Sequence, residues 1–193
     1  MISEKWRPWT LLIFALALFI PLFATGGLPK FDFWLWMTTN AIVLTAASFL
    51  IDKSYIEILK QDCRDNALFK IGIGIATAVV LYFVFAAGNY ISQMLPFAKS
   101  GIHNVYGLKT GVSTTKIALL LIFIIGPGEE ILWRGYFQRV FSEKYGLFLG
   151  LVIATFFYAV MHIASMNIML LVAAGVCGGF WGLLYIRYKS VLM

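Results

Sequence analysis

Charge is scarce in this chain. Of 193 residues only 12% are charged, nine are acidic and two are histidines. An ordinary soluble domain carries about 25% Asp, Glu, Lys and Arg, so a water-exposed globule is excluded. Cysteine is equally scarce: Cys63 and Cys177 have no CxxC partner and stand in such different contexts that neither a bridge nor a thiolate metal site is indicated. Internal repeats, low-complexity tracts and long linkers are missing, and the apolar runs do not alternate as barrel strands would.

What is present is apolar. The residues are 61% hydrophobic and 17% aromatic, and the mean hydropathy is +0.87. Six runs, at 9–27, 34–51, 71–95, 117–133, 147–164 and 168–186, are each long enough to cross about 30 Å of hydrocarbon. In lipid they must be helical, because helices satisfy their own backbone polar groups. The expectation is an all-α polytopic transmembrane bundle of about six helices, a single membrane domain over 1–193. The first run follows Lys5 and Arg7 but contains Pro21 and ends in Ala24-Thr25-Gly26-Gly27 without a convincing cleavage site, so it reads as a retained helix.

The net charge of +6 is topological in origin. With a cytoplasmic N-terminus, eleven basic residues (Lys5, Arg7, Lys53, Lys60, Arg64, Lys70, Arg134, Arg139, Lys144, Arg187 and Lys189) share one side, against Lys30, Lys99, Lys109 and Lys116 on the other. This asymmetry predicts a multi-pass plasma-membrane protein with both termini cytoplasmic, and gives no reason to invoke nucleic acid. Between the second and third runs, Ile56, Leu59, Cys63 and Ala67 recur at helical spacing, which suits either a short interfacial helix or a solvated linker. The segment 96–116, with Gly101, Gly107 and Gly111, reads as a loop, and His103 in it as a surface histidine. Gly175, Gly178, Gly179 and Gly182 form small-xxx-small patterns suited to close packing within the bundle, with homodimerisation a weaker use.

Against this background Glu129 and Glu130 stand out. An acidic side chain near the centre of a membrane helix costs about 2.5 to 3.5 kcal/mol, so intramembrane acids are functional candidates. Four residues separate Glu130 from Arg134, placing them on one face as an ion pair. Glu129 points about 100° away. Gly126-Pro127-Gly128 just before it weakens the helix and removes a backbone donor. On the next run Tyr158 precedes His162 by one turn. A carboxylate and an imidazole converging on one water make a hydrolytic centre. Their depths meet only if Leu147 starts inside the membrane boundary or if the helix of Glu129 continues towards Lys144.

Glu129-Glu130-Ile131-Leu132-Trp133-Arg134 followed by Tyr158-xxx-His162 resembles the CAAX-protease and bacteriocin-processing (CPBP, or Abi) family of intramembrane endopeptidases, which includes the type II CAAX prenyl endopeptidases. The resemblance covers a core of about 116–193; the earlier runs match only in being hydrophobic. It implies a membrane protease in which Glu129 activates water beside His162, with Glu130, Arg134 and Tyr158 in support, acting on a membrane-anchored protein or peptide substrate. Tyr158 stands where the family usually has Phe. No histidine follows His162, so the family's later His-xxx-Asn motif is unmatched and a chain shorter than the family pattern is expected. Two other functions stay open: a non-catalytic member acting in binding or self-immunity, and a proton-coupled transporter. Metal dependence is equally open: a divalent ion such as zinc would have Glu129 and His162 as ligands, short of the usual three.

Overall fold

The computed structural model describes residues 6–28, 31–109 and 111–193; Lys5 and Lys30, counted in the charge asymmetry, lie outside them. The architecture is all-α. Helix α1 spans Arg7–Thr25 and α2 spans Phe33–Ile51. They are joined through a two-residue antiparallel ladder, Gly27 opposite Asp32. Helix α1 starts with a proline in its first turn and stops at Gly26, whose left-handed φ of 68° lets its N–H reach the Leu22 carbonyl. Asp32 caps α2 by accepting from the Leu35 N–H at 2.8 Å.

Helix α3, Tyr55–Arg64, fills the connection for which a helix and a linker were both open. Helix α4 is Ala67–Ser92. Helix α5, Pro96–Gly107, replaces the expected loop. Pro96 is tolerated in its first turn, and Gly101 is no breaker. A Cβ there would stand 2.8 Å from Asn167 Oδ1, so this glycine serves a close crossing, across which Asn167 Nδ2 donates to the Gly101 carbonyl at 2.7 Å. His103 is exposed.

Helix α6 extends the fourth run at its far end, over residues 114–145, and alternates between α and π geometry, with π stretches at Leu121–Ile125 and Ile131–Gln138. The first has a local cause. The Gly126 N–H bonds to the Leu121 carbonyl, and a Cβ on residue 126 would lie 2.7 Å from that oxygen. Pro127, next in line, has no N–H to donate. Helix α7, Leu147–Val160, follows after one residue, Gly146, at φ 90°. A single 3-10 turn, Ile163–Ser165, leads to α8, Ile168–Tyr188, capped by Asn167 Oδ1 accepting from Met169 and Leu170.

Five helices are long and apolar enough to cross a membrane. The sixth expected crossing lies in α6. The core sits where α1, α2, α6 and α7 meet, around Leu12, Phe19, Leu44, Trp133, Phe137 and Phe141. Most of α4 stays outside it, with Val80, Phe83 and Tyr90 exposed, as suits a lipid-facing surface. Its first turn is nonetheless tied down. Asp62 accepts from Lys70 Nζ at 2.8 Å through one carboxylate oxygen, and from the Ser190 hydroxyl and the Val191 N–H through the other.

Candidate functional site

The extension of α6 settles the depth of the two motifs. Glu129 lies sixteen residues before Tyr145, about 24 Å along the helix, and His162 lies fifteen beyond Leu147, about 22 Å. Because α6 and α7 run antiparallel from the Gly146 turn, those lengths bring Glu129 level with the end of α7. Gly150 lets the two approach, since a Cβ there would collide with Ser142.

Glu130 and Arg134 take the expected positions on one face, 3.1 Å apart. Arg134 is almost wholly buried, 3% exposed. Its guanidinium has further partners that sequence spacing did not indicate: Nη2 donates to the Cys177 carbonyl of α8 at 3.0 Å, and the group lies 5.0 Å from the Tyr158 ring centre. Burial also corrects the charge inventory, because Arg134 belongs to the bundle interior rather than to the cytoplasmic surface. Lys70, 8% exposed, is buried as well, so nine of the basic residues expected on that side remain against four, a bias of unchanged sign.

Glu129 faces α7. Its Oε2 accepts a hydrogen bond from the Tyr158 hydroxyl at 2.8 Å, while Oε1 is buried without a partner. His162 is buried one turn later, its Nδ1 2.8 Å from the Tyr158 carbonyl. A carbonyl oxygen can only accept, so Nδ1 carries the hydrogen, and Nε2 of the neutral ring is left as an acceptor. Tyr158 therefore orients both groups, the carboxylate through its hydroxyl and the imidazole through its backbone. Its ring is held at 5.4 Å from Trp133 and 5.3 Å from His162, in edge-to-face arrangements.

Two contributors were not legible in the motifs. Phe23 of α1 packs against the His162 ring at 4.4 Å between centroids, and Thr45 of α2 donates to the Gly128 carbonyl at 3.3 Å. Both come from runs that carry no motif, and no sequence signal distinguishes them from other apolar or small residues there. Phe23 also borders a cavity of about 110 Å³ lined by Asn104, Leu108, Ser165 and Asn167. A larger groove of about 360 Å³ between α4, α5 and α8 shares Val105 and Leu170 with that cavity.

The donor set does not fit a zinc ion. Among the described residues no three His, Cys, Asp or Glu side chains cluster. Glu129 Oε2 is engaged by Tyr158 and Glu130 by Arg134, which leaves Glu129 Oε1 and His162 Nε2, one protein ligand short of a catalytic site. Cys63 and Cys177 are free thiols, one exposed and one partly buried.

No curated protein and no solved structure matches the chain. Residues 111–193, which supply Glu129, Glu130, Arg134, Tyr158 and His162, match the family described as type II CAAX prenyl endopeptidase Rce1-like, a family of proteases.

Proposed function

We propose that this chain is an intramembrane endopeptidase that hydrolyses a peptide bond of a membrane-anchored protein or peptide, with Glu129 as general base and His162 as its partner. The observation that carries the reading is the double role of Tyr158, which fixes a buried carboxylate and a neutral imidazole in one site while leaving one acceptor of each, Oε1 and Nε2, uncommitted. A water donating to those two acceptors is polarised for attack. Glu129 takes one proton as the water oxygen bonds to the scissile carbonyl carbon. The carbonyl oxygen becomes the oxyanion, and collapse of that intermediate expels the amine, which receives the proton from Glu129. Arg134 compensates the charge of Glu130, so the second acid supports the first without competing for the water.

The apolar groove beside α4 and α8 supports a substrate that arrives from the bilayer. The site is tested with purified protein in liposomes and a panel of membrane-anchored peptides that includes prenylated and unprenylated C-terminal tails. Cleavage is expected for the wild type, with at least a hundredfold loss on Glu129→Gln, in line with removal of a general base, typically 10²- to 10⁴-fold. His162→Ala is expected to lose a similar factor. Unimpaired cleavage by Glu129→Gln would falsify the assignment.

A further inference from the structure

We infer that the hydroxyl of Tyr158 is a positioning device for Glu129, so that this site runs on a tyrosine–glutamate pair. The inference rests on the endopeptidase reading above and deepens it. Only the hydroxyl is at issue, because a phenylalanine ring would fill the same space between Trp133, Arg134 and His162. That hydroxyl is 2.8 Å from Glu129 Oε2, and the other oxygen of the same carboxylate is a buried acceptor with nothing to bond.

The arrangement breaks the symmetry of the carboxylate. A free glutamate in a membrane interior has three rotatable side-chain bonds, two equivalent oxygens and a ready alternative partner in Arg134, one turn and one residue further along α6. Once the Tyr158 O–H holds Oε2, side-chain rotation is restrained and Oε1 alone is presented to water. The restraint is stiff. The phenol is carried by a ring that touches both helices of the site, and its own backbone carbonyl is bonded to His162 Nδ1. Glu129 and His162 are thus referenced to one residue, and a shift of Tyr158 moves both together. General-base catalysis depends on such fixed geometry, and a group left free to swing loses rate without losing substrate.

The role differs from simple packing in what its loss would do. Removing the hydroxyl and keeping the ring takes one charge-assisted hydrogen bond from the carboxylate, and the factor of about 10 to 100 in rate expected from its loss corresponds to about 1.4 to 2.7 kcal/mol. The bond orients the base and does not touch substrate, so kcat falls and KM does not.

The experiment compares wild type, Tyr158→Phe, Glu129→Gln and a chain with para-aminophenylalanine at 158, which returns an N–H donor on the same ring. Three readouts are taken: kcat and KM on an anchored peptide, the unfolding midpoint in detergent, and the infrared carboxylate band that disappears in Glu129→Gln. Tyr158→Phe is expected to lower kcat about 10- to 100-fold at unchanged KM, to lower the midpoint modestly with the protein still folded at the assay temperature, and to move the Glu129 band; the amino analogue is expected to recover much of all three. A Tyr158→Phe enzyme with wild-type kcat and an unmoved band, alongside an inactive Glu129→Gln, overturns the positioning role and leaves the endopeptidase reading standing. An active Glu129→Gln sinks that reading instead, and the infrared band alone then decides whether Tyr158 holds Glu129, an unmoved band overturning it.

Discussion

Arg134 shows how a single buried charge is made tolerable. It sits at 3% exposure, paired with Glu130 at 3.1 Å and bonded to the Cys177 carbonyl. The guanidinium and Glu130 are mutually dependent, since removing one partner leaves the other charge uncompensated in a low-dielectric interior. Arg134→Met is therefore expected to cost about 3–5 kcal/mol in unfolding free energy, and adding Glu130→Gln to it should recover part of that loss. Denaturant unfolding in mixed micelles checks it, and additive single and double losses would show that the two side chains are energetically independent. A second residue-scale expectation concerns Asp52. Burial opposes its ionisation, but the Ser54 hydroxyl and the Arg139 guanidinium outweigh that and hold its carboxyl below the ordinary value of 3.8. A depressed carboxyl stabilises the fold above the unfolded value and loses that contribution as the pH falls through the lower folded value. Stability is expected to drop below about pH 4 in the wild type, and Asp52→Asn should flatten this part of the pH curve. A curve of unchanged steepness in the variant would exclude Asp52 as its source.

At the scale of elements, the glycines of α8 separate into two kinds by what faces them. A Cβ on Gly178 would meet Thr155, and one on Gly182 would strike Leu151 and stand 2.9 Å from Gln138 Oε1, whereas Gly175 and Gly179 have nothing within 4 Å. The Gly178 and Gly182 face is the seam with α7 and α6, reinforced by Gln138 Nε2 donating to the Gly182 carbonyl at 2.8 Å. Close packing within the bundle is thus the observed use of half of the pattern. Gly182→Ala is expected to destabilise by about 1–3 kcal/mol, the usual cost of overpacking. Gly179→Ala should be neutral or gain about 0.5–1 kcal/mol from helix propensity. Unfolding midpoints of the two variants compare them directly, and equal shifts would show that the seam is loose enough to absorb a methyl group.

For the molecule as a whole, the six crossings expected from the sequence would put Arg7 and Lys189 on the same side, with the Asp52–Lys70 connection beside them. Cys63 is exposed in that connection and serves as a native probe. A membrane-impermeant thiol reagent is expected to reach it from the cytoplasmic side only, and to reach a cysteine placed at His103 only from outside. The reverse labelling pattern would invert the topology. The same arrangement makes α4 the least embedded crossing, held at its first turn by Lys70 on Asp62, with the 360 Å³ groove opening between it and α8.

The sequence by itself determined the membrane class, the helical class and the residues proposed to carry chemistry. Hydrocarbon length, the rarity of charge and the four-residue spacing of Glu130 and Arg134 are local properties, and each is readable without knowing what a helix touches. It also bounded the depth of the site, though only as two alternatives, because apolar length does not say where α6 stops once its charged end continues as helix to Tyr145. Tertiary structure decided the rest. That Glu129 turns to Tyr158, that Arg134 reaches the Cys177 carbonyl and that Phe23 packs on His162 are contacts across 29, 43 and 139 positions of chain. No periodicity encodes them. They follow from the one-residue turn at Gly146 and from glycines at 128, 150, 178 and 182, which set how near the helix axes come and hence which side chains meet.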